Sequence, residues 1–220
     1  MMPVKITAII PAYNEQETIA GVIAPILGCS LISDVLVISD GSTDATVERA
    51  REAGATVHHI PYKGGKGEAM LYALTQTTAP IVAFFDADLR GLTSEHVERL
   101  ILPVLHGSRA MNVALRDRGR VLTAVTRHLP LIAGERVMLR SVIEQIPPQF
   151  LKGYMVEASL NYYCRSHGFL YGAVELQGLS IRRKYEKVGY ARAVLQYMHM
   201  FYQVGKAMIV VRLAYVRGKF

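Results

Sequence analysis

The chain has almost no cysteine. Cys29 and Cys164 are the two in 220 residues, far apart and in no metal-ligand spacing, so neither a disulfide framework nor a zinc site is indicated. Long apolar runs are missing as well. Hydrophobic residues make up 51% of the chain and the mean hydropathy is +0.21, yet no stretch approaches 18 uncharged apolar residues; no segment reads as a membrane span. From Met1 the chain enters Ile6–Ile10 without a basic n-region, a separate apolar region or a small-residue cleavage site, and the expected location is cytoplasmic. There is no internal repeat and no low-complexity tract. His58, His59, His128 and His199 stand in no ligand spacing. Two nucleotide-binding fingerprints are also missing: no G-x-G-x-x-G follows the first strand, and Lys66 is followed by Gly67 and Glu68 rather than by Ser or Thr. A kinase-like or dehydrogenase reading is therefore unsupported.

What is present is an alternation of strand-length and helix-length patterns in a chain long enough for one full α/β domain. Apolar runs at Ile6–Ile10, Val35–Ile38, Thr56–Ile60 and Ile81–Phe85 alternate with helical patterns at Glu15–Leu27, Thr43–Ala53 and Lys66–Thr77. Ser42 or Thr43 is the expected cap of the second helix. Short buried strands separated by helices predict right-handed βαβ units and a mostly parallel sheet covered on both faces, with ligands at the carboxyl ends of the strands. Thr93 to about His106 reads as a further helix. Ser108–Arg120, basic and polar, reads as a loop or flap over the site. Gly134–Ile143 and Gly153–His167 read as helices, and Phe169–Leu176 as a strand. The expected organisation is a catalytic domain at 1–181, divided into halves at 1–110 and 111–181, and an extension at 182–220.

Charge is concentrated in that extension. Arg182–Phe220 holds nine Lys or Arg against the single acidic Glu186, leaving 16 basic and 17 acidic residues before it. Interleaved Tyr, Met, Val, Leu and Ile suit an ordinary docked helix, an anionic bilayer surface met peripherally, or a second copy of the chain in a homodimer. Nucleic acid fits this aliphatic composition less well and is not expected as a partner.

Asp86-Ala87-Asp88 closes the fourth apolar run. In an extended chain residues i and i+2 face one side, so both carboxylates can address one site. Hard oxygen ligands that fill only part of a coordination shell suit Mg²⁺ or Mn²⁺ shared with phosphates; the alternative is two solvated aspartates at a strand end. The other strand ends decide between these. Pro11-Ala12-Tyr13-Asn14-Glu15 follows the first strand, Ser39-Asp40-Gly41-Ser42-Thr43-Asp44 the second, and Lys63-Gly64-Gly65-Lys66-Gly67 the third. Asp40 offers acceptors to a base or ribose, and the Gly-rich basic loop can approach a phosphate closely. Four such ends in one order line one crevice.

The set IIPAYNE, VISDGSTDAT, GGKGEA and FFDADL resembles, in order and spacing, the nucleotide-sugar-binding half of family 2 glycosyltransferases with the GT-A fold, over about residues 5 to 110. The resemblance implies an α/β fold of that type. It also implies that Pro11, Ala12, Glu15, Asp40 and Lys66 contact the donor's nucleoside, with Tyr13, Gly41 and Ala87 beside them. Asp86 would meet the ribose or the metal, and Asp88 a metal bridging the diphosphate. The second half is similar to glucosyl-3-phosphoglycerate synthases, in Gly119-Arg120-Val121, in Ala133-Gly134-Glu135-Arg136 followed by Arg140, and in Gly153-Tyr154-Met155-Val156-Glu157; a likeness to dolichol-phosphate mannosyltransferase-like enzymes accompanies it. By that likeness Gly119, Arg120 and Val121 bind the acceptor's phosphate, and Gly134 and Tyr154 border sugar and acceptor. The histidine that completes the metal site in such enzymes is replaced, on this alignment, by Arg182.

The expected activity is metal-assisted transfer of a sugar from a UDP- or GDP-sugar to a phosphate-bearing acceptor, either a polyprenyl phosphate or a small molecule like 3-phosphoglycerate. Glu135 and Glu157 are the candidate bases for an acceptor hydroxyl. Arg109, Arg116, Arg118 and Arg120 are candidate phosphate clamps. A sugar-phosphate nucleotidyltransferase would want a glycine-rich, arginine-containing loop where Pro11–Glu15 stands. A membrane-associated scaffold that keeps a nucleotide site without turnover is the non-enzymatic alternative.

Overall fold

The computed structural model describes residues 4–116, 134–153, 155–181 and 190–218. The strand β1 (Ile6–Ala12) lies at the centre of the first half, with β2 (Asp34–Asp40) and then β3 (Thr56–Ile60) on one side and β4 (Ile81–Phe84) on the other, all parallel. Alternation along β1 explains the two-layered core. Ile6, Ala8 and Ile10 face α1 (Ile19–Leu27) and α4 (Ser94–Leu105), whereas Ile9 faces α3 (Lys66–Thr75). The helix α2 (Thr46–Glu52) connects β2 to β3. Four strands with apolar residues on both faces need helices on both faces, and receive them.

Helix starts depart slightly from expectation. The chain turns at 16–18 before α1 begins at Ile19, with the Thr18 and Ile19 amides both donating to the Glu15 carbonyl. At α2 neither Ser42 nor Thr43 caps: the cap position is Ala45, without a side-chain cap bond, and the preceding Asp44 accepts the Thr46 amide on Oδ1 at 3.0 Å.

Two elements of the second half overturn the pattern-based reading. Met111–Arg116, expected as a loop or flap, is the strand β6, parallel to β8 (Tyr171–Leu176). Its Asn112 is fully buried because the side chain is matched at both ends, donating to the Leu100 carbonyl at 2.9 Å and accepting from Arg109; a polar residue so satisfied is compatible with a central strand. Gly134–Ile143, expected as one helix, splits into the strand β7 (Arg136–Leu139) and the short helix α5 (Arg140–Glu144). Insertion of β7 antiparallel between β4 and β6 overrides the helical spacing. The seven-stranded order is β3-β2-β1-β4-β7-β6-β8, and a two-stranded ribbon joins β5 (Leu89–Arg90) to β9 (Ser180–Ile181). The sheet is mostly parallel and flanked by helices, as expected.

A 3₁₀ turn (Pro148–Phe150) leads to α6 (Met155–Ser166), and α7 (Tyr190–Val216) packs on α6. Ala207, Val211 and Ala214 are buried there, and the Tyr215 ring meets Tyr162 edge-on at 5.3 Å. One face of the basic extension is thus a docked helix. No helix among the described residues is long and apolar enough to cross a membrane.

The first turn of α3 is held against the chain after the 3₁₀ turn. A Cβ on Gly67 would stand 1.5 Å from the Leu151 carbonyl oxygen, so only glycine lets these backbones meet. Gly67→Ala should cost about 3 kcal/mol by overpacking and lower the melting temperature by about 6–12 °C; a scanning-calorimetry comparison with the wild type checks this.

Candidate active site

The loops after β1 and β2 are tied together. Asn14, in the left-handed region at φ 53°, accepts the Thr43 amide on Oδ1 at 2.8 Å and donates its own amide to Ser42 Oγ at 3.2 Å. The Glu15 amide donates to Thr46 Oγ1 at 2.9 Å, and the Gln16 amide to Asp44 Oδ2 at 3.3 Å. Burial alone would raise the Asp44 carboxyl; hydrogen bonds from the Thr46 hydroxyl and amide and from the Gln16 amide outweigh it and hold the carboxyl below its ordinary range. Thr18 Oγ1 donates to the Ala87 carbonyl at 2.8 Å, which links the first loop to the acidic pair. Pro11, Ala12, Glu15 and Ala87 are therefore neighbours around one edge of the sheet.

Asp40 plays a structural part that its sequence position does not reveal. It is buried, and its two oxygens accept the Gly64 amide at 2.7 Å and the Gly65 amide at 2.8 Å. The carboxylate thus shapes the Lys63–Lys66 loop before it offers anything to a ligand. The Gly41 amide donates to the Ile60 carbonyl at 2.9 Å, fixing the same corner. From this loop the Lys63 ammonium lies 3.5 Å from the centroid of the half-exposed Tyr13 ring, a cation–π contact across the mouth of the crevice.

Lys66, the first residue of α3, reaches the centre. Its Nζ lies 2.6 Å from Asp86 Oδ1 and 4.0 Å from Glu157 Oε1 on α6. Desolvation works against the ammonium, but Asp86 and then Glu157 more than offset it, so its proton is held more tightly than in free lysine. Gly134 closes one side: a Cβ there would stand 2.0 Å from Asp86 Oδ2, which explains glycine at a position expected to border the sugar. Glu157 and Glu135, paired as candidate bases, separate sharply. Glu157 keeps 13% of its side chain exposed and its buried Oε2 has no hydrogen-bond partner. Glu135 is 0% exposed, so its carboxylate presents no surface to an acceptor hydroxyl.

Arg109 also falls away. It stands before the amino end of β6, at the opposite edge of the sheet, where it donates to Asn112 Oδ1 and the Ala173 carbonyl and lies against Gly172. Gly119, Arg120, Val121, Arg118, Tyr154, His128 and Arg182 lie outside the described residues. Of the expected metal corner, β9 is described: Ile181 pairs with Leu89, the residue after Asp88. Sequence reasoning missed the Lys63–Tyr13 contact, which no pattern of residue types signals.

Asp86 and Asp88 are both partly exposed beyond the end of β4. Among the described residues no group of three His, Cys, Asp or Glu surrounds them. Two oxygen donors of this kind fit a hard divalent cation that completes its shell with phosphate and water oxygens.

The model of the family "Glycosyl transferase family 2" matches residues 7–171. Glucosyl-3-phosphoglycerate synthase of Mycolicibacterium smegmatis is 32% identical over 169 residues, a match covering 66% of this chain and 55% of that protein; the chain thus spans little more than half the length of this relative. A crystal structure of the Mycobacterium tuberculosis glucosyl-3-phosphoglycerate synthase with Mn²⁺, UDP-glucose and phosphoglyceric acid superposes with a TM-score of 0.74 at 28% identity, covering 94% of this chain and 79% of that one. The same enzyme with Mg²⁺ and UDP gives a TM-score of 0.69 at 30% identity, covering 81% of this chain and 71% of that one.

One consequence of the stitched loops is acid sensitivity. Because the folded Asp44 carboxyl sits below its ordinary 3.8, its stabilisation is complete above that pH and is lost as pH falls through the lowered folded value. Asp44→Asn should melt below the wild type at neutral pH, and the gap should close on acidification in a melting series from pH 7 to pH 3.

Proposed function

The chain belongs to glycosyl transferase family 2, and from that premise we propose that it moves a sugar from a UDP-sugar to a phosphate-bearing acceptor of the 3-phosphoglycerate class with the help of Mg²⁺ or Mn²⁺. The observation that carries the proposal is the meeting of Lys66, Asp86 and Glu157 at the end of β4, with Nζ 2.6 Å and 4.0 Å from the two carboxylates, behind a rim built from the other strand ends. The relatives solved with UDP, divalent metal and phosphoglyceric acid support this choice of ligands.

In this reading the nucleoside lies along Pro11–Glu15 and the Lys63–Lys66 loop, with the Tyr13 face available to a base once Lys63 swings aside. Asp88, with Asp86, holds the cation, which when bound neutralises charge on the departing diphosphate. Lys66 adds a fixed positive charge on the same side, so that leaving-group charge develops beside a group already oriented for it. Glu157 is the carboxylate left to accept a proton from an acceptor hydroxyl, its Oε2 having no hydrogen-bond partner. The acceptor phosphate is assigned to Arg120 within Gly119–Val121, on the resemblance that those residues carry.

A second acceptor, a polyprenyl phosphate, is favoured by one observation. The free face of α7 leaves Tyr202, Ile209, Leu213 and Val216 exposed beside exposed Lys206, Arg212 and Arg217, a mixture that suits an anionic bilayer surface. Pairing of that face with a second copy would bring like charges together, and sedimentation at working concentration separates the two outcomes.

The test is a panel of UDP- and GDP-sugars with Mn²⁺, offered 3-phosphoglycerate and, separately, polyprenyl phosphate in vesicles, with release of nucleoside diphosphate as readout. Turnover is expected with a UDP-sugar and the small acceptor. Binding of UDP without any turnover would replace the enzyme by a nucleotide-binding scaffold, and no binding of any donor would end the proposal. Asp88→Asn should lower kcat by about 10³ or more, while calorimetry without metal should show UDP affinity little changed.

A further inference from the structure

Arg136 is the largest fully buried side chain among the described residues, at 1% exposure. It sits at the amino end of β7, paired across to Phe84 of β4 and Val113 of β6. Because β7 runs antiparallel, its beginning lies beside the end of β4, two residues before Asp86. An arginine enclosed at this depth costs several kcal/mol unless carboxylates face it. Here Glu157, Asp86 and Glu135 do, in that order of influence: burial weakens the guanidinium's hold on its proton and these three oppose the loss. On its core side Nη1 of the guanidinium donates to Met111 Sδ at 3.9 Å.

Enclosure separates Arg136 from substrates. It touches neither donor nor acceptor in the proposed reaction, whereas its carboxylate partners do. Glu157 has Lys66 4.0 Å from Oε1, and Asp86 has the same ammonium on Oδ1. Two cations thus share these carboxylates, Lys66 about a third exposed and Arg136 fully buried. Arginine suits the buried place because its planar fork keeps its direction and its charge under burial.

We propose that Arg136 is a positioning residue for sugar transfer, holding Glu157 and Asp86 from beneath the pocket in the arrangement that Lys66 spans from above. The inference rests on the donor-site reading and deepens it. Nucleoside recognition, built on Asp40 and the Lys63–Lys66 loop, does not pass through Arg136. Loss of the guanidinium therefore acts on the step at the diphosphate and sugar, and leaves the hold on the nucleoside.

Removing a buried cation alone risks misfolding, so the test removes charge in balance. Glu135→Gln is the reference, and Glu135→Gln with Arg136→Met is the variant; UDP binding, donor KM, kcat and melting temperature are measured on both and on the wild type. The proposal expects the double variant to melt within a few degrees of the reference, with UDP affinity and donor KM within about threefold and kcat lower by at least about tenfold. Equal kcat in the two would overturn it, and so would a loss of UDP binding and kcat in step with melting temperature, which is the mark of a merely structural arginine. A wild type that neither binds UDP nor turns over a donor fails the donor-site reading itself, and takes this inference with it.

Discussion

The contact between Lys66 and Asp86 is the one on which the pocket is assembled, although as an ion pair it contributes little to stability. Both side chains are about a quarter to a third exposed, where such pairs are worth about 0–1 kcal/mol. Its importance is geometric. To put Nζ 2.6 Å from Oδ1, α3 must begin right at the crevice, and it can do so because Gly67 lets its first turn touch the Leu151 carbonyl. The loop leading into α3 must arrive in one direction, which the two amide bonds to buried Asp40 enforce. Asp86 in turn can lie flat because Gly134 has no side chain. Three separate stretches of sequence are shaped by one lysine's reach.

Charge balance sets the next constraint. Among the described residues Lys66 answers Asp86 and Glu157, and Arg136 answers Glu157, Asp86 and Glu135; Asp88 stands beside this group, and a diphosphate would add further negative charge to it. Such a site is unfavourable for an anionic donor until positive charge is supplied. A divalent cation on Asp86 and Asp88 would meet the requirement, its shell completed by phosphate and water oxygens. Metal and diphosphate would then strengthen each other's hold, over a hold on the nucleoside that needs no metal. The partly exposed lysine and the enclosed arginine differ in this balance: the first reaches the surface of the pocket, the second does not.

The first half of the fold and the centre of its site were legible in the sequence because both depend on local signals. Buried parallel strands read as short apolar runs, their ends carry the loops, and the order of the loops places Lys66 and Asp86 together without any knowledge of side-chain contacts. The second half was less legible because its elements are decided by their neighbours. Met111–Arg116 contains an asparagine and ends in arginine, so its composition resembles a loop; pairing with β7 and β8 makes it a strand, and the match of Asn112 with Arg109 and the Leu100 carbonyl lets that polar side chain stay buried there. Arg109 was read as a clamp from its charge, whereas its partners at the far edge of the sheet give it a structural task. Glu135 and Glu157 were equivalent by residue type, and burial alone separates them.

The same strand, β7, explains how residues of the second half of the chain reach the edge where Asp86 lies. In an all-parallel sheet the residues at the functional edge all follow their strands, and nothing that precedes a strand can reach it. A single antiparallel strand between β4 and β6 reverses this locally, bringing Gly134, Glu135 and Arg136 to the edge from the beginning of their strand. That placement sets a glycine against Asp86 and an arginine within the field of Glu157, a carboxylate that comes from α6 much later in the chain. The helical spacing of residues 134–143 was misleading for this reason: the segment is recruited as a strand by the two edges it joins, and its charged beginning is tolerated because the carboxylates of the site are already there to receive it.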